Sequence, residues 1–145
     1  MTEMQPMDHG RQAVAAPSAR PWQAPSWLAA WRPTEPPPVS PAQIRAAIAA
    51  ADQALAPASP EAAMVLLTET LELFDPPKNL QAAVKFCLEA VEDVPLDILQ
   101  TGLRQVRLSC RWFPKPADLR SAMSEALCER VRARLRLRTA LALSR

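Results

Sequence analysis

Polar and apolar positions along the chain fall into helical spacing wherever proline does not interrupt them. At SPAQ, Ser40 can cap, Pro41 suits a first turn and Gln43 completes a capping box, which predicts a helix over about residues 40–56. Pro57 breaks the pattern. SPEA repeats the start signal, with Ser59 as cap, Pro60 in the first turn and Glu61 near the positive end of the helix dipole. Met64, Leu67, Leu71 and Phe74 then follow at steps of three and four, an inward stripe that stops at Asp75-Pro76-Pro77. A third helix is expected over residues 79–92, with Val84, Cys87, Leu88 and Val91 on one face. Pro95 opens a fourth, in which Leu96, Leu99, Leu103 and Val106 point inward and Arg104, Arg107 and Arg111 form a basic ridge beside them. The fifth starts at Pro116 and continues to about residue 143, its early inward face being Leu119, Met123, Leu127 and Val131.

Beyond Glu129 the text ERVRARLRLR alternates base and apolar residue, a strand-like period. Ala, Leu and Arg are good helix formers and no turn signal intervenes, so helix is the expectation. At 100° per residue, Arg130, Arg132, Arg134, Arg136 and Arg138 then spread into a broad cationic tip.

Residues 1–39 read differently. Prolines at 6, 17, 21, 25, 33, 36, 37 and 38 interrupt every candidate element and predict a disordered Pro/Trp-rich arm. Within it, WQAPSWLAAW sets Trp22, Trp27 and Trp31 close together, and Ser26 can cap a short helix in which Trp27 and Trp31 share a face. Two roles stand open for these tryptophans. They form a partner-binding peptide, as tryptophan favours interface hot spots, or they fold back over an apolar groove of their own domain. The expected organisation is a disordered arm (1–39), a helical domain (40–129) and a basic C-terminal helical extension (130–145).

Composition supports the fold class. Glycine occurs only at Gly10 and Gly102 and tyrosine is absent, so tight hairpins are hard to build and an all-α bundle of about five helices is expected. The net charge of +2 hides an asymmetry: from Arg104 onward eleven bases face three acids, whereas residues 1–103 hold six bases and twelve acids. Such a split points to an anionic partner, nucleic acid or an acidic protein face, for the C-terminal part; a solvated arginine-rich helix is the plainer reading. The candidate nucleic-acid-binding residues are Arg104, Arg107, Arg111, Lys115, Arg120, Arg130, Arg132, Arg134, Arg136 and Arg138. Trp112, if exposed, can stack on an unpaired base. No polar recognition helix with base-reading Asn or Gln is evident, so backbone binding is expected rather than sequence-specific recognition.

Chemistry is sparse. Cys87, Cys110 and Cys128 are dispersed without a CxxC pair, His9 stands alone, and no nucleophile elbow, phosphate loop, dinucleotide fingerprint or HExxH motif occurs. A non-enzyme without metal, cofactor or small-molecule substrate is expected. Reduced thiols and the lack of a long apolar run point to a cytoplasmic protein without membrane partners.

One stretch joins these themes. In RWFPKPADLR, residues 111–120, Pro114 pushes Phe113 away from helical angles, Pro116 presets the next helix, and Asp118 sits near that helix's positive end. Trp112, Phe113, Pro114 and Pro116 thus read first as a structural corner, with Phe113 or Trp112 covering the joint. The run FDPPKNLQAAVKFCLEAVEDVPLDILQTGLRQVRLSCRWFPKPADLR, from an acidic-Val-Pro-Leu junction through a helix to this corner, resembles phage helicase loader and inhibitor proteins over about residues 74–123. It is also similar to prophage proteins of GC-rich bacteria with the same corner. The resemblance implies a phage or prophage DNA-replication accessory protein that binds the replicative helicase, or another replication protein, near DNA. The residues themselves leave two alternatives: a non-sequence-specific nucleic-acid-binding protein acting through its arginine-rich C-terminal region, or a non-enzymatic helical adaptor.

Overall fold

The computed structural model describes residues 21–144, which carry five α-helices and no strand. They are α1 (Pro41–Ala54), α2 (Pro60–Leu71), α3 (Leu80–Val91), α4 (Leu96–Ser109) and α5 (Pro116–Leu143). The fold is all-α, and every helix begins where its start signal stands. Ser40 and Gln43 close a reciprocal box, the Gln43 amide donating to Ser40 Oγ (3.2 Å) and the Ser40 amide to Gln43 Oε1 (2.9 Å). Ser59 Oγ accepts from Ala62 (3.1 Å) and Asn79 Oδ1 from Ala82 (3.1 Å). Each cap satisfies an amide that the first turn leaves without an intrahelical partner.

Helix α5 is the spine. It packs against α1, α3 and α4, while α2 packs on α3 and α4. Its two halves serve different cores. Leu119 and Met123 join Leu67, Leu71, Cys87, Val91, Leu99, Leu103 and Val106 in the larger one. Leu137 and Ala140 join Ile44 and Ala51 of α1, with Leu28 and Trp31, in the smaller. Gly102 lets α4 and α5 approach: a Cβ there would lie 2.5 Å from Met123 Cγ.

Several expectations are corrected. Met64 is exposed and Ala63 takes the inward place. Val131 is also exposed, because repeated steps of four drift by about 40° each on a helix with 3.6 residues per turn. The inward line of α5 instead runs through Leu119, Met123, Arg130 and Leu137. No boundary falls at residue 130, since α5 is continuous and its C-terminal half holds α1. Of the expected disordered arm, residues 1–20 lie outside the described residues. Residues 21–39 are seated on α1 and α5 as an irregular strap, because burying their tryptophans removes a large apolar area from water. In it Trp31 donates its amide to the Trp27 carbonyl (3.1 Å), a single turn rather than the expected short helix. Among the described residues no helix is long and apolar enough to cross a membrane.

Candidate nucleic-acid interface

The ten basic residues singled out by sequence divide into two groups. Arg130 lies in the inward line of α5 and cannot remain an isolated charge there. Its guanidinium donates to both carboxylate oxygens of Asp97 (2.8 and 2.6 Å) and to the Ala54 carbonyl (2.6 Å), tying α5 to α4 and to the end of α1. Asp97 also accepts from the Trp22 amide (3.1 Å), and Arg130 Cζ stands 5.5 Å from the Trp22 ring centroid. Burial works to raise the Asp97 carboxyl, but the hydrogen bonds from Arg130 and Trp22 prevail and hold it below the usual carboxylate range.

Arg136 acts likewise further along the same helix. It donates to the Leu28 carbonyl (3.0 Å) and the Trp31 carbonyl, with Cζ 5.5 Å from the Trp31 ring. Trp27 and Trp31 meet edge to face at 6.3 Å. Of the two roles open for the tryptophans, the strap therefore takes the second: Trp31, only 4% exposed, covers its own domain, and Trp22 and Trp27 are half-buried beside it.

Arg134 and Arg138 reach Asp52 of α1 (3.3 and 3.5 Å), and Arg120 pairs with Asp93 through two bonds (2.5 and 2.9 Å). The Arg120 hydrogen bonds hold the Asp93 carboxyl below its ordinary value against a smaller opposing effect of burial. Five of the ten bases are thus engaged inside the molecule. That corrects the broad cationic tip: Arg130 and Arg136 are clamps, and Arg134 and Arg138 are partly neutralised by Asp52.

Arg104, Arg107, Arg111 and Lys115 remain, with Arg132 apart on α5. All are exposed, and none of their side chains forms an ion pair with another described residue. Arg104 and Arg107 lie on α4, Arg111 follows its end, and Lys115 is the N-cap of α5, so the four make a basic ridge in chain order along α4 and around the corner. Asp118, the acid nearest in sequence, is committed to the Lys115 amide (2.8 Å).

The corner divides its aromatics. Phe113 packs against the larger core and Pro114 is buried, its carbonyl accepting from the Cys87 thiol (3.8 Å). Burial pushes that thiol up, with Asp118 adding to the effect, so it stays protonated and serves packing. Trp112 is left outside at 77% exposure, close in sequence to Leu108 at 81%. The joint is covered by Phe113, and the indole faces solvent on the segment between Arg111 and Lys115.

Sequence reasoning missed Asp97. By helical periodicity it shares the polar face of α4 with Arg104 and Leu108, and only the strap and α5 bury it. No family model, curated protein or solved structure matches the chain.

Proposed function

We propose that this protein binds nucleic acid through its phosphate backbone, along the ridge of Arg104, Arg107, Arg111 and Lys115. One observation carries the reading: these bases are exposed and unpaired, whereas the arginines at 120, 130, 134, 136 and 138 are spent on intramolecular contacts. Solvated cations without an internal counter-charge are available to neutralise phosphates and release condensed counterions. The mechanism needs no chemistry at the base edges.

Four phosphate contacts predict a slope of about −3 for log affinity against log salt on a single strand, or roughly 50-fold between 50 and 200 mM. Fluorescence anisotropy with a labelled oligonucleotide measures it. Changing the four to Gln should flatten the slope and abolish binding, and unaltered binding would sink the proposal.

A second reading adds a protein partner. A groove of 310 Å³ between α2 and α3, lined by Leu71, Phe74, Pro76, Leu80 and Val84, leaves Leu80 exposed; Leu73, just past the end of α2, and Phe86 of α3 are exposed as well, outside the groove lining. Together with the resemblance over residues 74–123, it favours a replication accessory factor whose apolar groove engages the replicative helicase. Co-purification with that helicase, free and DNA-loaded, and its loss in Leu80→Asp, is the expected result. A clean failure of the unaltered chain with both forms removes the helicase from the account.

A further inference from the structure

We infer that the ridge selects unpaired strands over duplex, with Trp112 as the stacking platform for one exposed base. The inference rests on the nucleic-acid reading above and adds the class of ligand. Its starting point is where the aromatics went: Phe113 is in the core, Trp22, Trp27 and Trp31 are committed to the strap, and Trp112 alone among the tryptophans is turned into solvent. An indole left in water gives up the apolar burial that the other three gain.

Its position is built. The chain leaves α4 at Cys110, whose amide still donates to the Val106 carbonyl (2.9 Å), and is anchored again at buried Pro114. Phe113 in the core and the Cys87 thiol on the Pro114 carbonyl hold the far side. Between these anchors Trp112 has little backbone freedom, so little ordering opposes a base that stacks on it. Arg111 precedes it and Lys115 follows three residues later, both exposed, while Arg104 and Arg107 continue the cationic line along about 8 Å of α4, from Arg104 to the helix end.

That combination discriminates by strand state. A basic track attracts any polynucleotide, duplex included. In a duplex each base has both faces covered by its neighbours, so an indole gains nothing there beyond electrostatics. In a single strand a base can turn its face to Trp112, and stacking of this kind tolerates every base because each has a π-face. The ligand is therefore an unpaired polynucleotide of any sequence. DNA and RNA share this chemistry, and parallel titrations with oligothymidine and oligouridine tell the two apart.

The experiment uses the full chain with an oligothymidine of about 16 nucleotides and a duplex of the same length, at fixed low salt. The single strand should bind more tightly, and its binding should quench the solvent-exposed part of the tryptophan emission. Trp112→Ala should lower single-strand affinity by about tenfold or more and leave duplex affinity unchanged. Trp112→Phe should retain most of the affinity and lose the quench. Because the side chain is exposed, both variants should melt as the unaltered chain does. Equal affinity for strand and duplex, or a Trp112→Ala variant that binds the strand unimpaired, overturns the selectivity while leaving backbone binding intact. Failure to bind either probe overturns both.

Discussion

At the scale of single residues, Asp97 ties together elements far apart in the chain. Its carboxylate holds both the Arg130 guanidinium and the amide of Trp22, and carboxylate and guanidinium are only 9% and 8% exposed. Removing one member leaves the other charged, buried and without its partner. Asp97→Ala should therefore cost about 3–5 kcal/mol in urea unfolding, while replacing Asp97 and Arg130 together by apolar residues of similar volume should cost much less. The same carboxylate gives a pH dependence. Its folded value lies below its unfolded value of about 3.9, so the stability it contributes is complete above that pH and is lost as pH falls through the folded value. Asp93, held down by Arg120, adds in the same direction. Melting temperature should be flat through neutrality and fall below about pH 4, and Asp97→Asn should fall less steeply there than the parent.

The helices themselves were largely legible, because capping residues and prolines act locally. SPAQ, SPEA, Asn79, Pro95 and Pro116 each open a helix within its own four residues, and no distant contact is needed to find them. How the elements meet is a different matter. Gly102 looks like a blemish in a helix-forming run, yet it marks the closest approach of α4 to α5, with Met123 Cγ 2.5 Å from where a Cβ would stand. Met123 is fully buried, so its Cγ cannot move aside without disturbing the packed core. Gly102→Ala gains about 1 kcal/mol of helix propensity and incurs about 1–3 kcal/mol of overpacking, so a net destabilisation is expected. A double-mutant cycle checks the cause: in a Met123→Ala background the same change should be neutral or stabilising. Asp97 was illegible, and the strap stood only as one of two open roles, for a related reason. Their partners lie 33 and 75 residues away, and the proline spacing of the arm points to extended chain without saying what it lies on. The drift of the α5 stripe from Val131 to Arg130 needed only the 3.6-residue period carried over more turns.

Across the whole molecule, the basic half of the chain turns out to do two jobs with one residue type. Apart from Arg132, the arginines of α5 build the protein: they bind Asp93, Asp97, Asp52 and the strap carbonyls, and so use up acids supplied by the negative N-terminal part. Those of α4 and the corner meet no such acid and keep their charge toward solvent. Net charge cannot reveal that division, but exchanging the two groups separately can. Arg136→Gln removes charged hydrogen bonds to the Leu28 and Trp31 carbonyls, each worth about 1.5–3 kcal/mol, so the melting temperature should drop by roughly 5 °C or more. Its affinity for single-stranded nucleic acid should hold at temperatures where it is folded. Changing Arg104, Arg107, Arg111 and Lys115 to Gln moves the net charge from +2 to −2, removes no internal ion pair, and should leave stability within about 0.5 kcal/mol while binding is lost. Arg132→Gln controls for charge alone, since that base is exposed and unpaired but lies off the ridge. If the Arg132 variant weakens binding as much as a single ridge substitution, the molecule responds to total charge and the ridge has no special standing. Unequal effects, with the ridge dominant, mean that the angle set at the corner places four cations where a strand can follow them.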